Sequence, residues 1–501
     1  MRNLSRNKKL KLNIVFSLIL QLVVFTSGII LPKLFIECYG SKVNGLVASI
    51  QQFLGFITLG EMGIGAVIQY NLYKPLANSD WKQVSNVIVS ANRFFNNLLK
   101  GIVVYIIILS CFLPLKMWNQ FDFIYTILLI LSISFSYLTQ YYFGMTYRQL
   151  LEADQLSFVR VIPQTVQIVL NVLVCILLLK SEVDIQVVKL VTSIIYSIQP
   201  IFIYCYCRRA YPKIQSDIEI IGEPIRQKWN GLAQHFSGVV LKDSGVIILT
   251  FFSTLENVSV YSVYNLVIIG IETLIESVTN NFMAVFGELI AKSRQDDLKR
   301  IFCLFESIYH MLIVIIFFCI AKLIVPFVSV YMYGIEDAEY IVPVFALILS
   351  FSHWLYCARI PYHLVIKAAG HYKETQNSAI IEALINIVVS IVSVCIFGIV
   401  GVVMGLASAM LYRSVYYCNY LKSNIIKHPI KHVVFVYTKD LLVVIVSYFI
   451  TKNMYLSEYT YFCWFVLAVK VFVTTSIVSF VVFFITDSKN VSEFFLNIRK
   501  I

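Results

Sequence analysis

Fourteen mostly apolar stretches of membrane-crossing length recur from one end of this chain to the other. They lie at approximately 12–37, 43–72, 88–115, 122–145, 156–179, 184–207, 233–254, 258–290, 300–329, 341–366, 376–397, 399–421, 435–452 and 461–486. A helix rises 1.5 Å per residue, so about 20 apolar residues cross the hydrocarbon of a bilayer. Only helices and closed barrels satisfy their backbone polar groups there, and runs this long read as helices. Composition agrees. The chain is 59% apolar and 14% charged, against about 45–50% and about 25% in soluble domains. No soluble core can hide that much apolar surface. The expected fold is an all-α integral membrane bundle of about 14 transmembrane helices. The third, eighth and ninth spans exceed what a membrane needs, so they are expected to tilt or project.

The net charge of +12 would suggest nucleic acid in a soluble protein. Here the basic residues sit in short loops between apolar runs, and no nucleic-acid partner is expected. Counting Lys and Arg in alternate loops gives 25 on the side of the termini and 4 on the other side (Lys42, Lys116, Lys180 and Lys452). The positive-inside rule then places both termini in the cytoplasm. A basic N-terminal segment precedes the run Ile14–Phe35. That run is too long for a signal peptide and reads as a retained first helix.

The longest polar segment, 208–232, carries Pro212 and Pro224 and divides six spans from eight. The expected organisation is an N-terminal lobe over 1–207, a cytoplasmic linker over 208–232, a C-terminal lobe over 233–421, and two added helices with a tail over 422–501. An internal repeat supports it. Ser27-Gly28-Ile29-Ile30 resembles Ser244-Gly245-Val246-Ile247, and an offset of 215 residues carries Val43 onto Val258 and Glu61 onto Glu276. Spans one to six and seven to twelve thus read as two copies of one unit, as in many secondary transporters.

Ionisable groups inside apolar spans are costly and are functional candidates. Lys242 and Asp243 lie near the middle of span seven and point about 100° apart, so each is free to meet a different partner. Glu61 sits among glycines in Leu59–Gly65, in span two. Glu272 and Glu276 are four apart in span eight and share a face. These acids and Asp243 are candidates for coupling to protons or sodium, with a structural hydrogen-bonding role as the alternative. Arg93, Asn96, Asn97 and Lys100 line one face of the third helix, either as a basic wall for an anion or with Lys100 snorkelling. Arg359-Ile360-Pro361 places a permanent cation where proline interrupts span ten, which suits a phosphate contact. Lys33 lies toward the outer end of span one. Lys242, Arg359, Arg93, Lys100 and Lys33 are the candidate substrate-binding cations. Arg160 and Lys189 read as snorkelling residues. Glu306 and His310, four apart in span nine, read as a satisfied buried pair or a proton relay.

There is no Walker A loop, no G-x-G-x-x-G after a strand, no H-E-x-x-H and no G-x-S-x-G, so P-loop ATP hydrolysis and the commonest soluble-enzyme chemistries are not expected. The eleven cysteines contain no C-x-x-C pair and read as small hydrophobes. No metal site or cofactor is expected, and the chain reads as a transporter rather than an enzyme.

Several stretches resemble the bacterial polysaccharide transporter family, the Wzx-like lipid-linked oligosaccharide flippases of the multidrug/oligosaccharidyl-lipid/polysaccharide exporter (MOP) superfamily. Tyr39–Leu46, Leu59–Gly65 and Asn71–Ala77 are similar to that family's first loop, second helix and following loop. Lys367–Gln376, followed by Glu382–Ile387, resembles the approach to its eleventh helix. The resemblance implies two six-helix lobes plus two C-terminal helices, V-shaped around a central cavity. It also implies alternating access that carries an undecaprenyl-pyrophosphate-linked repeat unit across the cytoplasmic membrane of a bacterium, for O-antigen, capsule or exopolysaccharide. The implied partners are that lipid-linked oligosaccharide, membrane lipid and polysaccharide polymerase machinery. The alternatives are a drug/cation antiporter or a peptidoglycan-precursor flippase of the same superfamily. A membrane polymerase is disfavoured because it needs a large Arg-rich outer loop.

Overall fold

The computed structural model describes residues 6–61, 64–215, 218, 232–426 and 430–488. Among the described residues it is entirely helix and loop, with no strand. The helices of the first half are α1 (Arg6–Gly55), α2 (Ile64–Ala77), α3 (Trp81–Met117), α4 (Phe123–Thr139), α5 (Met145–Ala153), α6 (Ser157–Lys180), α7 (Ile185–Tyr196) and α8 (Ile198–Ala210). Those of the second half are α9 (Leu232–Phe252), α10 (Leu255–Thr279), α11 (Phe282–Ala291), α12 (Gln295–Tyr331), α13 (Pro343–Ala358) and α14 (Ile360–Ala368). They continue with α15 (Gln376–Phe397), α16 (Ile399–Asn424), α17 (Ile430–Thr451) and α18 (Tyr461–Thr486).

These helices supply the fourteen expected spans. α1 is two helices meeting at Gly40, whose φ of 82° is open to glycine at little cost. Its second part continues through a 3₁₀ turn at Phe56–Glu61 toward α2. α4 and α5 form one span with a π-helical turn, Gln140–Gly144, between them. α7 with α8, α10 with α11, and α13 with α14 are likewise single spans interrupted once. Span eight, expected over 258–290 and to tilt or project, breaks between Thr279 and Phe282. Twelve described segments are long and apolar enough to cross a membrane. One of these joins the first two spans, and α9 completes the fourteen.

Side-chain caps set several helix starts. Asp80 accepts from Gln83 N, Asp122 from Ile124 N and Tyr125 N, Thr254 from Asn257 N and Thr460 from Cys463 N. Each such cap contributes about 1 kcal/mol. The chain divides into two compact units, Met1–Phe236 and Ser237–Ile501. Of the expected linker, 216–217 and 219–231 lie outside the described residues.

Corresponding helices pair in both units. In the first, Asn13 of α1 donates to Gln155 O and accepts from Phe158 N at the start of α6. In the second, α9 holds α15 through Ser237 to Ala379 O and Asn386 Nδ2 to Ser244 Oγ. α15 and α16 form the tightest hairpin. Gly401 and Gly405 admit the other backbone so closely that an added Cβ would lie 2.2 Å from Ser393 and 2.0 Å from Ser390 Oγ. Such small-residue spacing is a packing device of membrane helices. The added helices α17 and α18 dock on α12 through Ile308, Met311, Val314, Val443, Val478 and Phe483. Rows of exposed Leu, Ile and Val, such as Val104, Ile107, Ile108 and Leu115 on α3, are what lipid solvates and water would not.

Candidate functional site

The repeat reappears in the structure as chemistry. Tyr141 Oη donates to Glu61 Oε1 at 2.6 Å, joining span four to span two across 80 residues. Tyr356 Oη donates to Glu276 Oε1, joining span ten to span eight, again across 80 residues. The offset of 215 that relates Glu61 to Glu276 also relates Tyr141 to Tyr356. In each lobe both partners sit at an interruption. Glu61 ends a 3₁₀ turn, and Tyr141 lies in the π turn. Glu276 is in the last turn of α10, and Tyr356 is two residues before the end of α13. Broken helices free backbone polar groups within the membrane and are a recurrent feature of transporter sites.

In the second unit, one turn before Glu276, buried Glu272 meets His353 Nδ1 at 3.0 Å. Arg359 sits at the α13–α14 junction, where proline was expected to break the span. It does not stand on an open wall. It is buried and forms a hydrogen-bonded ion pair with Glu382 of α15. Arg413 of α16 approaches the other oxygen of Glu382 at 3.6 Å and donates to Ser378 Oγ and Tyr417 Oη. The two guanidinium groups also face the Tyr417 ring, at 5.8 and 4.5 Å. Lys367, at the end of α14, shares the electrostatic neighbourhood of Glu276, Arg359 and Lys242.

Glu306 and His310 do not pair with each other. Glu306 accepts from Tyr362 and lies 3.2 Å from His432, while His310 meets Asp440 at 2.7 Å. Lys439 pairs with Asp487 at 3.0 Å, and Ser307 donates to Asp487. This chain of buried charges fastens α17 and α18 to α12.

In the first unit, Glu152 of α5 lies 3.1 Å from Arg148 and 3.4 Å from Arg160, and Gln69 Nε2 donates to it at 2.7 Å. Lys33 pairs along its own helix with Glu37 at 3.7 Å. Arg93, Asn96, Asn97 and Lys100 lie together on an exposed face of α3, as their spacing predicts, and Lys242 is exposed on α9. Asp243 is half-buried and within electrostatic reach of Tyr261.

A sign asymmetry results. Glu61, Glu152, Glu272, Glu276, Glu306, Glu382, Asp440 and Asp487 all have protein partners. Arg93, Lys100, Lys189 and Lys242 have no carboxylate partner among the described residues. The residues passed over in the sequence are Tyr141, Tyr356, Glu382 and Arg413. Extending the 215-residue offset would have found the tyrosines; the other two are joined only by packing.

Together these features define a two-unit, internally repeated helical membrane protein with broken spans and buried charge clusters. Its fold is that of the MOP-superfamily transporters. A structure described as the lipid II flippase MurJ, in an inward closed conformation, superposes with a TM-score of 0.68 at 13% identity, over 94% of this chain and 99% of that one. An inward-facing multidrug-resistance MATE-family transporter of the MOP superfamily gives 0.61 at 14% identity, over 82% and 98%. The Vibrio cholerae MATE transporter VcmN in its bent form gives 0.52 at 13%, over 83% and 98%. No protein-family model and no curated protein sequence matches the chain.

Proposed function

We propose that this chain is a flippase that moves an undecaprenyl-pyrophosphate-linked oligosaccharide repeat unit across the bacterial cytoplasmic membrane, by alternating access, for surface polysaccharide synthesis. The observation that carries this reading is the sign of the unmatched charge. The intramembrane acids described above are occupied by tyrosine, histidine, arginine or lysine, whereas Arg93, Lys100, Lys189 and Lys242 lack a counter-ion. Cations left without a counter-ion suit an anionic cargo. A drug/cation antiporter needs acids left over instead, and a likeness to MATE structures does not supply them.

The physical task is clear. A diphosphate cannot cross about 30 Å of hydrocarbon unaided. Arg93, Lys100 and Lys242 are the contacts in our reading, and Lys33 is a gating residue held by Glu37. Arg359, fixed by Glu382, positions the end of span ten and its neighbour Lys367. The paired acids Glu61 and Glu276, with Glu272 and Asp243, are the places where a proton or sodium ion would exchange against tyrosine, histidine or another partner. Protonating either glutamate of a Glu–Tyr pair weakens the bond that ties span two to four, or span eight to ten.

Deletion in the host tests this function. The expected result is undecaprenyl-linked oligosaccharide accumulating on the cytoplasmic side, with loss of surface polymer. Intact polymer with altered dye efflux would assign the chain to the antiporters.

A further inference from the structure

The first unit contains a polar cavity of about 440 Å³ that no expectation from the sequence anticipated. It lies among spans four, five and six, with Gln51 reaching in from span two. Its lining runs from Ile133 to Arg148 on one span and from Lys189 to Ile203 on another. At 1.5 Å per residue, that is a tract about 20 Å long, parallel to the helices. Its walls include the π turn between α4 and α5 and the break between α7 and α8, where Thr139 and Ser197 share a hydrogen bond of 2.8 Å. Irregular backbone at membrane depth is tolerated where it lines a hydrated space.

Three properties of the lining specify a ligand. Arg148 and Arg160 stand at one end, sharing Glu152, and Lys189 stands at the other. Lys189 is 93% buried (7% exposed); its ammonium faces the Phe35 ring at 3.7 Å and lies within electrostatic reach of the Cys175 thiol, with no carboxylate partner among the described residues. An aromatic face is a weak substitute for a counter-ion. Between the two ends lie Gln51, Gln140, Gln164, Gln167 and Gln199. Amides both donate and accept, which is what vicinal sugar hydroxyls require. Gln199 is held in place by its backbone N–H to Gln167 and its side chain to Arg160 O, so this part of the amide wall is pre-organised. Tyr137 and Tyr196 add aromatic surface for a sugar face.

We propose that this cavity is a binding site for an acidic saccharide, one or two sugar units carrying a carboxylate or phosphate ester. Lys189 receives the acid group and the glutamines receive the hydroxyls. The proposal deepens the flippase reading, since the same chemistry would arise from an acidic sugar in the repeat unit or from a free sugar acid.

The test is calorimetric titration of the full chain in lipid nanodiscs with a soluble glucuronic-acid-containing disaccharide, with glucose 1-phosphate, and with the neutral glucose disaccharide. Both acidic probes should bind about tenfold or more tightly than the neutral one, as a charge-assisted hydrogen bond gives. Lys189→Met should abolish that preference. The variant removes an uncompensated buried charge, so it is expected to fold. Gln199→Ala should weaken all three probes. Equal affinity for acidic and neutral probes, or a preference that survives Lys189→Met, overturns the site. A parallel assay of lipid-linked disaccharide translocation in vesicles separates the two readings. Translocation that is indifferent to Lys189→Met rejects the cavity and keeps the flippase. Lys189-dependent binding of the soluble probes without any translocation keeps the cavity and rejects the flippase.

Discussion

The two lobes build the same ionic motif and use it differently. In the first, Arg148 and Arg160 share Glu152; in the second, Arg359 and Arg413 share Glu382. The second triad is sealed, with side-chain exposures of 2–6%. The first is open, at 19–39%, and borders a polar cavity. Two cations on one carboxylate leave a net positive charge. In a sealed site that charge must be distributed over tyrosine rings and hydroxyls, as around Tyr417. In an open site it is available to a ligand. The Glu–Tyr bond is common to both copies, whereas the carboxylate shared by two arginines is sealed in one lobe and more exposed in the other.

The largest expected effect comes from breaking the sealed triad. Glu382→Ala strands two buried guanidinium groups and should cost about 3–5 kcal/mol, read as a large fall in thermal stability in detergent. Glu152→Ala, at the more exposed triad, should cost less, about 1–3 kcal/mol, because solvent screens Arg148 and in part Arg160. Equal losses would erase the distinction between the lobes. Next is the α15–α16 hairpin. Gly401→Ala forces a methyl against the Ser393 backbone and should cost about 1–3 kcal/mol. Gly101, with open space where a Cβ would stand, should accept alanine without loss of stability.

An effect of similar size sharpens the shared joint. Tyr141→Phe and Tyr356→Phe each remove one hydrogen bond to a carboxylate and should each cost about 1.5–3 kcal/mol, with similar values in the two lobes. A loss confined to one lobe would mean that the second bond does not join its helices. Smallest in stability are Arg93→Ala and Lys242→Ala, which should stay within about 0.5 kcal/mol yet reduce transport. Unchanged transport in both would remove them from the cargo route.

Much of the fold was legible because membrane spans announce themselves locally. An apolar run of sufficient length needs no partner to be recognised. The interruptions were partly legible. Pro361 signalled the break at Arg359, whereas the π turn at Gln140–Gly144 and the break before Phe282 carry no proline. The site was less legible because its chemistry lies in pairings. Arg359 looked like a free cation, since nothing in its own span shows that Glu382, 23 residues on, and Arg413 would enclose it. Glu306 and His310 looked paired from their helical spacing, yet α14 and α17 supply each with a nearer partner. Lys189 was read as snorkelling because it lies near a span end; the structure buries it on a cavity wall instead. The glutamines of spans four to six, neutral and scattered, drew no attention until the fold aligned them.

The central claim is that the cations without a carboxylate partner among the described residues, Arg93, Lys100, Lys189 and Lys242, receive the cargo, and that the cargo is therefore an anion. The most direct measurement is translocation in proteoliposomes of a fluorescent undecaprenyl-diphosphate disaccharide, compared with a cationic dye such as ethidium. The account predicts protein-dependent movement of the diphosphate lipid, slowed by Lys242→Ala, and no movement of the dye. Dye transport with an immobile diphosphate lipid would contradict it.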